Sequence, residues 1–390
     1  MVDLVKWCLF VSYYYGRFTG VLNFEIDFKT GRTRVTRNAT ICSAFSHLLM
    51  FIILGIQMAN ARVMGKLWAT TNSLHKNMFM IMSCVRVICV LLSLVSRWSQ
   101  RGTFMKLFYS IHCLYQLNPE IINYCRRSIV SKCICATMSE TLQIIMVLVL
   151  TSNQLTISLA FSIWSILSLT SIINVIITQY FTAMAIIRAR YRLLNSELRT
   201  ILAKTQALIP NKSGVFVTKC CYLADELEEL ARTQSSLQNL IECLSRSYRV
   251  QVICLMVTYY LNLVTNSYLL FSINKYRSLT EHWPNIVKAC GLAYLVFYYL
   301  DCWLNSHNVF YLMDTHDDIV KLLNQRTLFQ PGLDQRLETV FETFILNLAH
   351  NPFKLSFFGL FEIDRASSFA VGNSLLTHSI LLIQYDVEHF

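Results

Sequence analysis

Charged residues are scarce in this 390-residue chain. They make up 15 % of it, whereas soluble domains carry roughly 25 %. Hydrophobic residues make up 54 %, too large a share for a soluble domain that must cover its own surface with polar groups. The apolar residues also fall in separate blocks of about twenty, the length that crosses a bilayer as a helix. The sequence therefore predicts an all-α, polytopic membrane protein.

Proline is almost absent, and none of the five prolines interrupts an apolar block. The blocks predict seven transmembrane helices at 40–60, 77–97, 129–151, 161–186, 250–273, 287–306 and 366–386. Transporters built from inverted repeats usually contain interrupted helices at mid-membrane. Uninterrupted spans and the lack of an internal repeat argue against that class.

We also expect no signal peptide, because Asp3 and Lys6 interrupt the first apolar run. Most of the 34 Lys and Arg residues lie before the first span or in the connections after spans two, four and six. Basic residues favour the cytoplasmic side, so we expect a cytoplasmic N-terminus and an extracellular C-terminus. The two glycosylation sequons, at Asn38 and Asn211, then lie in the cytoplasm and stay unmodified.

This topology divides the chain into four parts. We expect a cytoplasmic N-terminal segment, a six-helix ligand-binding bundle with cytoplasmic helical extensions, a cytoplasmic anchor segment, and a seventh helix with a short extracellular tail. Their boundaries are, in that order, 1–39, 40–306 with extensions at 98–128 and 187–249, 307–365, and 366–390.

Enzymatic and nucleic-acid signatures are missing. The chain has no nucleotide-binding glycine loop, no His-Glu zinc helix and no nucleophile elbow, so we expect no catalysis, no cofactor and no metal. The net charge of +11 lies in loops between spans and does not require nucleic acid. The fourteen cysteines are predicted in spans or cytoplasmic segments, where thiols stay reduced.

Two amphipathic helices are predicted outside the membrane. One follows span six and is closed by Asn351 and Pro352. The other leads into span five as one continuous helix, and its seam either packs within the subunit or joins subunits. Apolar residues and one glutamine follow this seam with a 4-3 spacing: Leu223, Leu227, Leu230, Gln234, Leu237, Ile241, Leu244 and Tyr248.

Ionisable residues inside the spans are costly and face the bundle interior or water. Arg86 in span two and Glu140 in span three lie at similar depth. We predict that they form an ion pair, which serves either as a structural staple or as part of a site. Asp301 lies nearer the cytoplasmic end of span six, where it could reach water or a headgroup.

A ligand cavity is predicted in the outer halves of the spans, because polar stripes on spans four and five lie beside aromatic residues. Aromatic walls with a few polar groups are typical of sites for small organic molecules. Simple packing between helices is the alternative. The candidate pocket residues are Phe161, Trp164, Tyr260, Asn262, Tyr268, Tyr294 and Phe297.

Span seven ends in Thr377-His378-Ser379-Ile380-Leu381-Leu382-Ile383-Gln384-Tyr385. This stretch resembles the insect gustatory receptor signature, in which a Thr-Tyr pair, five hydrophobic residues and Gln-Phe follow one another. His378 replaces the tyrosine and Tyr385 the phenylalanine. The stretch 359–364 resembles the family's lead-in to this span. The resemblance covers the whole chain, and four stretches resemble the fruit-fly gustatory receptor 36 bitter-type group: 13–16, 23–27, 218–225 and 383–386.

The resemblance implies a tetrameric, ligand-gated, non-selective cation channel for bitter or aversive small molecules, in the plasma membrane of gustatory neuron dendrites. The resemblance does not decide whether the tetramer is made of identical subunits or includes other gustatory receptor subunits. It implies that span seven lines the pore, with Thr377, Ile380, Leu381 and Gln384 on its wall. The alternative functions are a G-protein-coupled chemoreceptor or a small-molecule transporter. The alternative for span seven is that this face packs against other helices of its own subunit.

Overall fold

The computed structural model describes residues 4–28, 30–59, 73–151, 156–209, 213–276, 283–325, 332–357 and 361–389. The described residues are almost entirely helical. The helices are α1 (Leu4–Phe18), α2 (Arg37–Ala59), α3 (Ser73–Ser99), α4 (Arg101–Leu117), α5 (Ile121–Thr151), α6 (Ile157–Gln206), α7 (Gly214–Ser247), α8 (Arg249–Lys275), α9 (Asn285–Asn324), α10 (Gln335–His350) and α11 (Arg365–His389).

Two short antiparallel strand pairs, which the sequence did not predict, accompany the helices. They are β1 (Glu25–Ile26) with β2 (Thr33–Arg34), and β3 (Ser356–Phe357) with β4 (Phe361–Glu362). The tight turn in the first hairpin uses Gly31, whose φ of +69° favours a residue without a side chain.

Seven of the helices are long and apolar enough to cross a membrane: α2, α3, α5, α6, α8, α9 and α11. Each coincides with one predicted span, so the predicted set of seven spans is confirmed. Several helices are longer than the span inside them. In particular, α6 and α9 continue well beyond 186 and 306 to Gln206 and Asn324, and we call the end of the bundle at which they do so the extension end. Residue 60 of the first predicted span lies outside the described residues.

The N-terminal helix α1 enters the bundle beside α5 and α6. Its first turn lies toward the extension end, because Val5 belongs to the same buried cluster as Ile186 and Ala189 of α6. Its last turn lies deeper, where the Tyr15 hydroxyl is 2.8 Å from Ser171 Oγ. The chain then reverses at Gly20, whose φ is +76°.

At the extension end, α7 and α10 pack together and against the ends of α6 and α9. All eight residues of the predicted α7 seam are at most 4 % exposed, so the seam packs within the subunit. In α10 the buried residues are Leu337, Phe341, Phe344 and Leu348, and the helix ends at His350, before Asn351 and Pro352, as predicted.

One continuous helix leading into span five was predicted, and this was wrong. The chain departs from helical geometry at Tyr248, between α7 and α8, with φ −94° and ψ 7°. Tyr248 is 1 % exposed and its hydroxyl accepts a hydrogen bond from Arg97 at 3.1 Å. The break thus lies where a buried tyrosine and a buried arginine meet, and seam periodicity alone does not reveal it.

A candidate ligand cavity and the face of the seventh membrane helix

A small cavity of about 40 Å³ lies inside the membrane bundle, between α3, α5, α6, α8 and α9. Its walls combine tyrosine rings with hydroxyl, amide and guanidinium groups. The lining residues are Arg86, Ser139, Gln143, Thr170, Ile173, Asn174, Ile177, Leu255, Thr258, Tyr259, Asn262, Tyr294 and Tyr298.

Arg86 provides the positive charge of this cavity. Its guanidinium donates to Thr170 Oγ1 at 3.4 Å and to Asn262 Oδ1 at 3.3 Å. Both partners are neutral, and Arg86 forms no ion pair with a carboxylate in the described part of the chain. A cation held by long hydrogen bonds to neutral groups can still attract a ligand that accepts hydrogen bonds.

The predicted ion pair between Arg86 and Glu140 is wrong. Glu140 instead accepts hydrogen bonds from Tyr15 and, at 2.8 Å, from Asn174 Nδ2. Ser139 of the same helix lines the cavity, and Glu140 is one residue further along, hence about 100° around the helix axis. Burial and the Glu140 carboxylate raise the pKa of the Tyr15 phenol above its ordinary value, which keeps the phenol protonated as a donor.

Only two of the seven candidate pocket residues, Asn262 and Tyr294, line the cavity. Phe161 and Trp164 lie on the bundle surface, 52 % and 36 % exposed. Phe297 is partly buried and is absent from the cavity wall.

The remaining two candidates, Tyr260 and Tyr268, face α11 instead. Tyr260 Oη is 2.9 Å from Ser374 Oγ and 2.6 Å from His378 Nδ1, and Tyr268 donates to Asp386 at 3.0 Å. These two tyrosines therefore join α8 to the seventh membrane helix.

A buried ion pair lies behind the cavity wall and is joined to it through Tyr259. Lys132 Nζ lies 2.6 Å from Asp301 Oδ1, with side-chain exposures of 2 % and 8 %. Tyr259, which lines the cavity, donates to Asp301 Oδ2 at 2.7 Å, and Asn305 donates to Tyr259 Oη at 3.0 Å. Such pairing compensates part of the cost of burying both charges. Lys132 lies within predicted span three, but the sequence analysis did not identify it as the partner of Asp301.

Consecutive residues of α8 therefore contact two different regions. Tyr259 lines the cavity and donates a hydrogen bond to Asp301 of the ion pair, whereas Tyr260 contacts α11. Neighbours along a helix point about 100° apart, so one helix carries both contacts. This geometry positions α8 between the cavity and α11.

The seventh membrane helix α11 is covered on one face only. Ser379 and Asp386, its buried residues, lie on the side that packs against α8. The four predicted pore residues Thr377, Ile380, Leu381 and Gln384 are all exposed, and helical geometry places them away from that side.

The C-terminal end of α11 is attached to α8 by a buried carboxylate. Asp386 accepts hydrogen bonds from Tyr268, Tyr276 and Lys275, at 3.0, 3.1 and 3.2 Å. The side chain of Asp386 is fully buried while that of Lys275 is 27 % exposed. This cluster closes the end of the bundle opposite the extension end.

The described helices form a seven-span membrane bundle with an internal cavity and a last helix that is covered on one side. Residues 9–389 match the family model of the 7tm chemosensory receptors, and the chain belongs to this family. It is 58 % identical over 390 residues to gustatory receptor 59d of Drosophila melanogaster, covering 100 % of both chains. It is 33 % identical over 394 residues to gustatory receptor 36b of the same species, again covering 100 % of both. The resemblance to insect gustatory receptors is thereby confirmed.

The fold is similar to that of the insect olfactory receptor OR5 from Machilis hrabei in complex with eugenol. The TM-score is 0.65 at 12 % sequence identity, over 97 % of this chain and 98 % of that chain. At this identity the likeness concerns the fold alone, and it confirms the predicted all-α, seven-span class.

Proposed function

We propose that the chain is a subunit of a ligand-gated, non-selective cation channel for small bitter-type or aversive molecules. Four subunits, identical or mixed with other gustatory receptors, would surround a pore lined by α11. The single observation that carries the proposal is the uncovered face of α11, which bears Thr377, Ile380, Leu381 and Gln384.

This uncovered face suits a pore wall. Within the described chain, the apolar stretch of α11 is the least buried of the seven spans, at 6 %, against 11 % in α5 and in α9 and 39 % in α8. Polar residues in hydrocarbon face protein or water, so Thr377 and Gln384 favour a wet axis. Ile380 and Leu381 lie between them and would form an apolar constriction that excludes ions by dewetting when closed.

The cavity around Arg86 is the proposed ligand site. A space of about 40 Å³ holds only one or a few waters, so a tastant would enter only when the wall side chains move apart. An aromatic or amphipathic molecule with a hydrogen-bond acceptor would suit Arg86 and Asn262 on one side and the rings of Tyr294 and Tyr298 on the other.

Helix α8 is the proposed connection between ligand and pore. A ligand that displaces Tyr259 would disturb the Lys132–Asp301 pair, and the same helix holds α11 through Tyr260. A ligand that binds the open-pore conformation more tightly than the closed-pore conformation would shift the equilibrium toward the open pore. The size of the shift is set by the difference between the two affinities.

Recording from excised patches tests the proposal most directly. A channel gives tastant-evoked current without guanine nucleotides, whereas a G-protein-coupled receptor requires them. Single cysteines from Thr377 to Tyr385 should be blocked by a small thiol reagent at Thr377, Ile380, Leu381 and Gln384, with little effect at Ser379. Uniform protection along the helix would remove α11 from the pore.

The proposed topology places the extension end in the cytoplasm and the receptor in the plasma membrane of gustatory neuron dendrites. Asn38 lies at the start of α2 and should carry no glycan; the second sequon asparagine, Asn211, lies outside the described residues. A glycosidase-sensitive mass shift that Asn38→Gln abolishes would reverse the topology and favour the G-protein-coupled alternative.

A further inference from the structure

A groove of about 510 Å³ opens between the first hairpin and helix α4. Strand β2 packs against α4, and the Thr33 hydroxyl lies 3.5 Å from the carbonyl oxygen of Met105. Three basic side chains line the groove: Arg32 and Arg34 from the hairpin, and Lys106 from α4. We call it the basic groove. It shares no lining residue with the cavity around Arg86.

The charge of the basic groove is not neutralised by the hairpin. All three basic side chains are exposed. Among the described residues, no acidic side chain lines the groove, and none of the three cations forms an ion pair with a carboxylate. Glu25 lies opposite Arg34 in the hairpin but pairs with Arg17 at 3.1 Å. Asp27 accepts a hydrogen bond from Thr30 Oγ1 at 2.8 Å. The groove therefore attracts anions.

The first turn of α4 adds to this attraction and leaves room for a ligand. Gly102 lines the groove, and a Cβ added there would meet no other part of the chain within 4 Å. The first turn carries no acidic residue and no side-chain cap. The N-terminal end of a helix has a partial positive charge, so the helix itself has the same sign as the three cations.

The basic groove lies at the membrane boundary of the extension end. Helix α2 begins three residues after β2 ends, and α4 begins two residues after α3 ends. Both α2 and α3 are long and apolar enough to cross the membrane. Arg101, at the start of α4, holds these parts together, because its Nη2 donates to Thr40 Oγ1 of α2 at 2.9 Å. This is the level at which phospholipid headgroups lie.

We propose that the basic groove binds the headgroup of a phosphoinositide, a lipid whose inositol ring carries two or more phosphomonoester groups. Guanidinium groups match phosphate oxygens in geometry, so the ring phosphates would contact Arg32, Arg34 and Lys106. Three cations favour a headgroup with several negative charges over one with a single charge. Basic clusters beside a membrane helix are typical of such lipid sites. The assignment to the cytoplasmic leaflet rests on the proposed topology, whereas the binding itself does not.

Fluorescence anisotropy of the purified full-length receptor in neutral detergent micelles tests the binding. The probe is fluorescent dioctanoyl phosphatidylinositol bisphosphate. We expect saturable binding that the unlabelled lipid displaces. Inositol trisphosphate, which lacks the acyl chains, should displace the probe only at higher concentration, and dioctanoyl phosphatidylserine should not displace it at the concentration at which the unlabelled lipid does.

Two results of this competition would overturn the proposal. Equal displacement by phosphatidylserine would mean that the receptor attracts any anionic lipid. Displacement by inositol trisphosphate as effective as that by the lipid would mean that the ligand is a free inositol phosphate and not a membrane headgroup.

The double variant Arg32→Gln with Lys106→Gln tests the contact, because it removes one cation from each wall of the groove. We expect the affinity for the bisphosphate lipid to fall about tenfold or more. The matched control is Arg126→Gln with Arg127→Gln. These two arginines are also exposed, near the start of the membrane helix α5, but they do not line the groove. Equal losses of affinity in the two double variants would contradict the site.

Gly102→Phe tests the space of the groove without changing its charge. Gly214→Phe is the matched control, since both glycines lie in the first turn of a helix and have no other part of the chain within 4 Å of an added Cβ. Gly102→Phe should abolish saturable binding and Gly214→Phe should preserve it, with equal size-exclusion profiles. Native binding in Gly102→Phe would place the lipid elsewhere and overturn the proposal. This pair decides if the charge variants fail to assemble.

Discussion

Helices α7 and α11 each carry a regular pattern of residues along one face, but the α7 face is buried within the subunit and the α11 face is exposed. The α7 seam is closed within the subunit, where Leu227 and Leu244 have no exposed surface. On α11, Ile380 and Leu381 are each 53 % exposed. The first pattern holds one subunit together, and the second is available to something outside it.

The difference shows what helical spacing determines. Spacing identifies which residues share a face, but a seam between helices of one chain and a seam between chains obey the same rule. The partner follows only from three-dimensional packing. For α7 the partners are α6 and α10; for α11 the described chain supplies mainly α8.

The largest expected effect is on the free energy of unfolding, and it distinguishes the two faces when a leucine on each is replaced by alanine. Leu227→Ala removes fully buried methyl groups and should lower the free energy of unfolding by about 2–5 kcal/mol. Leu381→Ala should change that free energy by less than about 0.5 kcal/mol, while altering basal current if α11 lines the pore. Thermal unfolding in detergent measures the first, and patch recording the second.

Equal loss of stability in the two leucine variants would break the comparison. It would mean that Leu381 is buried by other subunits before the receptor becomes stable. Val217→Ala, at a 41 % exposed position of α7, is a control for generic effects of truncation on that helix.

A smaller effect is expected at the cluster that attaches the end of α11. Lys275→Met removes the Lys275 ammonium from the buried Asp386 carboxylate, whose hydrogen bonds from Tyr268 and Tyr276 remain. A hydrogen bond to a charged group contributes about 1.5–3 kcal/mol. We therefore expect faster hydrogen exchange in the last two turns of α11, with α7 unchanged.

Lys288→Met is the matched control for this change, since Lys288 is exposed near the N-terminal end of α9. It should leave exchange in α11 as in the native chain. If both variants exchange at the native rate, the contact between Lys275 and Asp386 does not fix the end of α11, and the prediction is contradicted.

Much of the fold was predictable because hydrophobicity along the chain fixes which segments cross the membrane and where seams run. The seven spans, the buried α7 face and the helix α10 follow from this one-dimensional signal. The small strand pairs and the break at Tyr248 do not, because local turns and a buried contact with Arg97 produce them.

The candidate site was predictable only in part, because a membrane sequence gives the depth of a residue better than its direction. Arg86 and Glu140 were correctly recognised as polar residues inside the bundle, but Glu140 faces Tyr15 and Asn174. Tyr294 and Asn262 line the cavity as predicted, while Tyr260 turns toward α11. Tyr298, which also lines the cavity, lies four residues after Tyr294 and could have been found from that spacing.

The smallest expected effect tests the Tyr260 contact, one of the two contacts by which α8 holds the uncovered helix α11. Tyr260→Phe keeps the ring but removes the hydroxyl that lies 2.9 Å from Ser374 Oγ and 2.6 Å from His378 Nδ1. A hydrogen bond of this kind contributes about 0.5–1.5 kcal/mol, and a loss of about 1 kcal/mol shifts a two-state equilibrium roughly fivefold. We expect the tastant concentration for half-maximal current to shift by about that factor, with stability nearly unchanged. Tyr299→Phe is the matched control, because Tyr299 is 42 % exposed on α9, and it should leave the half-maximal concentration as in the native receptor. A native response in Tyr260→Phe would mean that the Tyr260 hydroxyl does not couple α8 to α11, and the connection would then depend on the Asp386 cluster.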